Sequence, residues 1–212
     1  PNFLNTMIPL SMSLIFIFIY LSFNTTNIKS IISYLAFSQV SIIFYIFCLK
    51  EYHAAMFYFI TLSLSITMLY LSIGYVVSKF NNISNVKVMG GIIFKMPSMF
   101  LFTLIAFLST SGVPFFSGFY SHEVIISTFY NSDQAILVPS TLIGISASFL
   151  ISYVILKNII MIFLGKNKGN IHEFNKINEN SSTNKLIFFC LGLCLVFAGW
   201  LTKNLFDGIN VE

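Results

Sequence analysis

The residues with the clearest chemical potential are His122 and Glu123, which follow an interruption in an apolar run. Gly112, Pro114 and Gly118 make the interruption, because proline removes a backbone donor and glycine tolerates the resulting geometry. In lipid such a break persists only where protein or a water-filled cavity satisfies the freed backbone groups. Histidine titrates near neutrality, and a neighbouring carboxylate stabilises its protonated form. The stretch therefore indicates a transport pathway for protons, against the plainer alternative of a partly solvated pair near a helix end.

Two lysines are further candidates for an intramembrane pathway. A charge at the bilayer centre costs roughly 2.5–3.5 kcal/mol on insertion scales, so it is kept mainly where function or pairing offsets the cost. Lys157 lies about seven residues from the end of its apolar segment and can either snorkel to the interface or pair inside the bundle. Lys29 opens the second apolar segment, where by itself it would be an interfacial anchor. Hydroxyl side chains also form a polar stripe on the third segment, which predicts helix–helix contacts or a water path: Thr61, Ser63, Ser65 and Thr67.

Composition decides which elements position these groups. Of 212 residues, 57% are hydrophobic and only 8% charged, whereas soluble domains carry about a quarter charged residues. The chain is therefore predicted to be an integral membrane protein. Its apolar segments lie at about 7–23, 31–49, 54–78, 98–112, 119–131, 136–164 and 185–205. This pattern predicts an all-α, polytopic transmembrane bundle of about seven spans, one single membrane domain over 1–212, with one helix pair broken at Gly112–Gly118.

Several function classes are excluded by what the sequence lacks. It has no phosphate-binding loop, no dinucleotide fingerprint and no CxxC pair, and its three histidines lie on different segments. Cys48, Cys190 and Cys194 lie in apolar segments without a histidine or carboxylate beside them, so we interpret them as small apolar residues. The net charge of +4 is spread over loops, which indicates no nucleic-acid surface. We expect no cofactor and no metal on this chain, and membrane lipids as its surroundings.

Three segments in the same order resemble the antiporter-like membrane subunits of respiratory complex I, a family shared with Mrp-type cation/proton antiporters. Residues 27–39 (NIKSIISYLAFSQ) are similar to the family's Asp/Asn-Ile/Leu-Lys-Arg-Leu-Leu-Ala-Tyr-Ser-Ser segment. Residues 89–91 (MGG) and 95–97 (KMP) resemble its Met-Gly-Gly and Lys-Met-Pro loop. Residues 112–121 (GVPFFSGFYS) resemble its Gly-Ile-Pro-Pro-Phe-Ser-Gly-Phe-Phe-Ser break. The resemblance covers roughly residues 8–165.

The resemblance implies proton translocation along a central hydrophilic axis of lysines, histidines and acids, with broken helices in inverted pairs. The family's key lysine after the break corresponds here to His122, and Glu123 follows where some members carry an acid that tunes or relays. Lys29 corresponds directly to a family lysine, and Lys157 is a possible member of the axis. The chain would then hold no cofactor and touch no NADH, and it would be part of an enzyme only as a subunit of a proton-translocating NADH:ubiquinone oxidoreductase.

Departures from the family pattern refine the expectation. Residues 61–67 (TLSLSIT) lack the histidine and lysine that the subunit 5 type carries there, and one span follows Lys157. Both features favour the subunit 2 type, with subunit 4 or an Mrp subunit as the next candidates. The N-terminal half of the family is absent, so we expect the C-terminal half of a split or truncated subunit, with the other half on a separate chain among the membrane-arm subunits.

The sequence leaves alternatives for the membrane in which this chain lies and for its function. Phe, Ile, Asn, Lys and Tyr are abundant, which is typical of AT-rich codons and hints at an organellar genome. We therefore expect the mitochondrial inner membrane, with a bacterial plasma membrane as the alternative. A cation/proton antiporter subunit of the Mrp type and a structural subunit that has lost pumping are the rival functions.

Overall fold

The structure, a computed structural model, describes residues 2–130, 137–166, 174 and 182–209. Seven α-helices run through these ranges. They are α1 (Asn2–Asn24), α2 (Ile28–Cys48), α3 (Tyr52–Lys79), α4 (Pro97–Thr110), α5 (Ser117–Tyr130), α6 (Leu137–Ile159) and α7 (Ser182–Ile209). A 3₁₀ turn, Ile92–Phe94, precedes α4, and a π-helical turn, Ile160–Leu164, continues α6. These residues contain no β-strand, so the predicted all-α class is confirmed.

The helices agree with a membrane bundle. Among the described residues, four helical stretches are long and apolar enough to cross a bilayer: Thr6–Asn24, Ile28–Cys48, Tyr52–Lys79 and Gly144–Leu164. The stretches Pro97–Thr110 and Lys185–Gly199 are apolar but shorter. At 14 residues each, α4 and α5 are about 21 Å long, less than the ~30 Å hydrocarbon core. Each predicted apolar segment coincides with a helix, while the predicted limits at 131 and 136 lie outside the described residues.

Helix α3 lies at the centre of the bundle and packs against α2, α4, α5 and α7. Its buried residues recur at helical spacing along one face, which combines apolar with small polar side chains. Small residues let helix backbones approach closely in a membrane, where burial of apolar surface gives no driving force between helices. That face includes Ala54, Tyr58, Thr61, Ser65, Met68 and Ser72.

The loop between α3 and α4 fixes where α4 begins. Backbone bonds attach it to the α1–α2 turn, since the amide of Ile28 donates to the carbonyl of Ser84 at 2.8 Å and that of Val86 to Thr26 at 2.9 Å. The loop then buries three side chains of the segment that contains the MGG and KMP motifs: Met89, Ile92 and Met96. Pro97 occupies the first turn of α4, where its missing N–H costs nothing.

The predicted helix break is confirmed between Thr110 and Ser117. Gly112 has φ +72°, a conformation that glycine adopts without strain, and it turns the chain at the end of α4. Gly118 then brings the first turn of α5 against the end of α4. A Cβ atom on Gly118 would lie 1.7 Å from the carbonyl oxygen of Ser109, so no side chain fits there. Pro114 lies exposed at the outside of the turn.

This close approach predicts that Gly118→Ala opens the break. Because the clash is with backbone and not with a flexible side chain, α5 must move, at a cost of at least about 1–3 kcal/mol. We expect less of the chain in the assembled membrane complex and a lower temperature of heat inactivation. Gly74→Ala is the matched control: nothing lies within 4 Å of the added Cβ, and alanine inside a helix is favoured by roughly 0.5–1 kcal/mol. Equal stability of the two variants would contradict the close contact between Gly118 and the Ser109 carbonyl.

Candidate functional site

His122 lies in the second turn of α5 and reaches back across the break. Its imidazole donates a hydrogen bond to the backbone of Thr110, the last residue of α4. The ring also lies against Gly112, where an added Cβ would come within 2.8 Å of the His122 Cδ2 atom. The side chain is half-buried. The break therefore holds the imidazole by a polar contact on one side and a backbone contact on another.

A tyrosine on α3 completes the surroundings of His122. The Tyr58 ring meets the imidazole edge-to-face, with ring centroids 5.4 Å apart and an interplanar angle of 65°. The Tyr58 hydroxyl donates a hydrogen bond to Oε1 of Gln39 on α2. Both Tyr58 and Gln39 are only 2% exposed, so the bond lies in the packed interior. Tyr58 thus connects α2, through its hydroxyl, to the histidine on α5, through its ring.

Three buried serines form a polar line. The Ser65 and Ser109 hydroxyls are 2.7 Å apart, and those of Ser109 and Ser117 are 3.0 Å apart. Each of these side chains is at most 1% exposed. The line therefore joins α3 to the end of α4 and the start of α5, the two sides of the break.

The other predicted site residues lie on the outside of the described chain. Glu123 follows His122 but is exposed. Lys29 is exposed in the first turn of α2, about 15 Å along that helix from Gln39 at 1.5 Å per residue. Its backbone amide donates to the side chain of Asn27, which caps the helix. The structure thus brings Lys29 to a helix end and not to His122.

Lys157 is exposed on α6, next to the buried Asn158. The Asn158 amide donates to the Val154 carbonyl at 2.7 Å. Asn158 also lines a small apolar cavity together with Ile28 and Ile31 from the first turns of α2. Lys157 therefore lies near the same end of α2 as Lys29. The predicted axis divides into a lysine group at that end and the His122 group at the break.

Sequence reasoning missed Tyr58, which contacts His122, and the buried polar residues around the break, namely Gln39, Ser109 and Ser117. The polar stripe on the third segment did contain a usable signal. It divides in the structure, because Thr61 and Ser65 are buried whereas Ser63 and Thr67 are exposed and donate to carbonyls of their own helix.

Neutral imidazole can take up a proton and release it near physiological pH. The Tyr58 phenol beside it and the Gln39 amide bonded to that phenol supply orientation, since neither titrates in that range. Among the described residues no three His, Cys, Asp or Glu side chains form a group that could hold a metal ion. The chemistry that this cluster can perform is therefore proton transfer.

Comparisons with known proteins identify the family of this chain. Residues 2–151 match the family model described as NADH:quinone oxidoreductase/Mrp antiporter, transmembrane. The NADH-ubiquinone oxidoreductase chain 5 of Dictyostelium citrinum is 29% identical over 184 residues, which cover 87% of this chain and 28% of that protein. The chain 5 of Acanthamoeba castellanii is 26% identical over 186 residues, covering 88% and 28%.

A solved structure, that of an Mrp complex from Dietzia sp. DQ12-45-1b, shows the same fold. It superposes with a TM-score of 0.77 at 15% identity and covers 96% of this chain and 45% of that one.

These relatives bear on the expected subunit type and on the expected family. The named relatives are chain 5 proteins, so the comparisons do not support the preference for the subunit 2 type. That preference gave too much weight to two local features, the missing side chains in residues 61–67 and the single span after Lys157, whereas the similarity is distributed over 184 residues. The chain spans less than a third of the length of these relatives, 28% in both cases. Because the family model matches residues 2–151, well over half of its length, this chain belongs to the NADH:quinone oxidoreductase/Mrp antiporter transmembrane family.

Proposed function

We propose that this chain is a proton-translocating membrane subunit, or a segment of one, of the chain 5 type in NADH:ubiquinone oxidoreductase. The observation that carries the proposal is His122, an ionisable side chain held inside a membrane bundle at a helix break and in contact with Tyr58. The family and the names of the relatives supply the coupled reaction. Redox chemistry belongs to other subunits, and this chain contributes proton movement.

The proposed step is a change in the charge of His122. Protonation gives the imidazole a second N–H donor and a positive charge, which is costly in an apolar setting without a partner. The neutral ring suits the contacts with Tyr58 and Gly112, whereas the charged ring favours water or a carboxylate. Glu123, one residue further on and exposed, supplies a carboxylate at the surface of α5. Conformational change elsewhere in the complex would move His122 between these two environments.

Lys29 and Lys157 are proposed as further members of the proton axis. Both are exposed on the described chain and lie near the start of α2, away from the break. Protons passing between them and His122 need water or side chains that another chain supplies. This requirement supports a partner that covers these faces within the membrane.

We propose further that the chain forms one membrane domain over 1–212, equivalent to the C-terminal half of an antiporter-like subunit. A separate chain would carry the N-terminal half, beside other membrane-arm subunits. The match to 45% of the Mrp chain, with 96% of this chain covered, supports a segment of about half the length of that chain, whereas 28% of the chain 5 relatives is matched. The proposed location is the mitochondrial inner membrane.

A cation/proton antiporter subunit is the second candidate, favoured by the superposition on the Mrp complex. Cation-dependent proton transport without NADH oxidation would identify it. A non-pumping structural role is the third, and the absence of ionisable side chains in residues 61–67 favours it.

Replacing His122 tests the proposed function directly. In the assembled complex reconstituted into vesicles, we expect His122→Ala and His122→Gln to lower the number of protons pumped per electron. The expected loss equals the protons that this subunit moves, because no titrating group replaces the imidazole. His122→Lys, which introduces the family's own residue, should retain pumping. His53→Gln is the control, since His53 is exposed at the start of α3. An unchanged ratio in His122→Ala would establish the structural role instead.

The Tyr58–Gln39 bond should hold the interior of the site together. Tyr58→Phe keeps the ring beside His122 but leaves the buried Gln39 oxygen without its donor, at a cost of about 1–3 kcal/mol. Adding Gln39→Leu removes the orphaned group, so the double variant should be more stable than the sum of the single effects predicts. We expect a coupling free energy of about 1–2 kcal/mol, measured as unfolding in mixed micelles. Tyr70→Phe, on the exposed face of α3, should change little, and additive single effects would contradict the bond's role.

A further inference from the structure

We infer that Ser65, Ser109 and Ser117 form a one-directional hydrogen-bond chain that closes the helix break and positions His122. The inference rests on the proposed function only for the role of His122. The hydrogen-bond chain links three helices: Ser65 lies on α3, Ser109 in the last turn of α4, and Ser117 begins α5.

Counting protons gives the chain its direction. Each serine hydroxyl has one proton to donate. The Ser65 hydroxyl oxygen lies 2.9 Å from the carbonyl oxygen of Thr61 and 2.7 Å from the Ser109 hydroxyl oxygen. The Ser109 and Ser117 hydroxyl oxygens are 3.0 Å apart. All three contacts are hydrogen bonds at once in one arrangement only. Ser117 donates to Ser109, Ser109 donates to Ser65, and Ser65 donates to Thr61.

Such an arrangement is stable in the interior of a membrane bundle. Every donor in it has an acceptor, so no buried hydroxyl is left unpaired. Hydrogen bonds aligned in one direction also polarise and strengthen one another in surroundings of low dielectric constant. The line begins at the first residue of α5 and ends on the backbone in the middle of α3.

Ser109 holds the break through two different atoms. Its hydroxyl contacts Ser117, and its carbonyl oxygen lies against Gly118, where an added Cβ would come within 1.7 Å. On the other side of Ser117, helix α7 approaches so closely that a Cβ on Gly199 would lie 2.5 Å from the Ser117 Cα. The first turn of α5 is therefore clamped between α4 and α7.

The clamp determines where His122 lies. Thr110, whose backbone accepts the imidazole hydrogen bond, directly follows Ser109. His122 itself lies five residues after Ser117 on the same helix. Movement of Ser117 away from Ser109 therefore displaces the imidazole from Thr110 and from the Tyr58 ring. Ser109 is thus a positioning residue that acts through the start of α5.

The same geometry gives a role to the part of α3 that lacks the family's histidine and lysine. Ser65 lies within residues 61–67, and it ties α3 to the break instead of carrying a charge. Protons need not pass along this part of α3 for it to serve the site.

The test measures how well His122 is shielded, whether or not the chain pumps protons. The assembled complex in its membrane is treated with diethyl pyrocarbonate, and modification of His122 is measured by mass spectrometry relative to the exposed His53 of the same chain. One lost hydrogen bond corresponds to about a fivefold and two to about a twentyfold change in a local opening equilibrium. Ser109→Ala loses both serine contacts, so we expect about a twentyfold rise in the His122:His53 ratio.

The end serines separate the two contacts. Ser117→Ala opens the break itself and should raise the ratio about fivefold. Ser65→Ala leaves Ser109 and Ser117 bonded and should raise it less. The loss of heat stability should follow the opposite order and be larger in Ser65→Ala, because Ser65→Ala leaves the buried Ser109 donor without an acceptor whereas Ser117→Ala leaves no donor unpaired. Ser117→Ala should therefore expose His122 more than Ser65→Ala does, yet destabilise the protein less. This difference follows from the direction of the three hydrogen bonds and not from packing alone.

Two variants and one functional readout complete the test. Ser63→Ala is the matched control, since Ser63 is exposed on α3 and donates to the carbonyl of Ile60 in its own helix. Ser109→Ala should also shift the pH profile of proton pumping. Ser109→Thr keeps the hydroxyl, so it should restore both the shielding of His122 and the original pH profile. A His122:His53 ratio in Ser109→Ala equal to that in Ser63→Ala overturns the inference, even if His122 proves essential for pumping. A raised ratio upholds it, even if His122→Ala leaves pumping unchanged.

Discussion

The structure depends on how a helix can be interrupted inside lipid without leaving backbone groups unpaired. At this break the chain pairs several of these groups itself. The amides of Ser111 and Val113 bond back to the carbonyls of Phe107 and Leu108, and that of Phe116 bonds to Val113. Because the turn is tight, the two half-helices nearly touch, and only glycine fits where Gly118 faces Ser109. A side chain one turn further on is therefore held beside the end of α4.

The bundle distributes its polar side chains by charge. Uncharged groups such as Gln39, Ser65 and Ser109 lie in the interior, where hydroxyls and amides find partners at helix–helix contacts. Lys29 and Lys157 lie outside, near one end of α2. An unpaired charge in lipid costs far more than a hydrogen-bonded hydroxyl, so this division follows from solvation alone. His122 falls between the two classes, because it is neutral or charged according to pH and is half-buried. That intermediate position suits the proton exchange that we propose for His122.

Much of the fold could be predicted from the sequence, because a bilayer demands long apolar helices and a break demands glycine and proline. The seven helices and the interruption from Gly112 to Gly118 follow from those two constraints. The interior of the site could not be predicted in the same way. In a soluble protein the polar face of a helix marks the outside, but here both faces of α3 are apolar, so periodicity does not reveal which side is buried. Tyr58 therefore resembles a lipid-facing aromatic residue in the sequence, and the partnership of Ser109 with Ser65 depends on how α3 and α4 pack.

In the proposed function, His122 stands where the resemblance places a lysine, and this changes what the surroundings of the group must supply. Lysine ordinarily has a pKa near 10.4, so its surroundings must shift the equilibrium far before it releases a proton at neutral pH, whereas histidine ordinarily titrates near 6.5. Histidine thus needs less help from a changing electric field. It needs more help from geometry, because its two nitrogens lie on a rigid ring and can reach few partners, while lysine has a long flexible stem. The contacts of His122 with Thr110, Gly112 and Tyr58 supply that geometry. The closely fitted break and the serines that hold it are therefore the structural counterpart of the histidine.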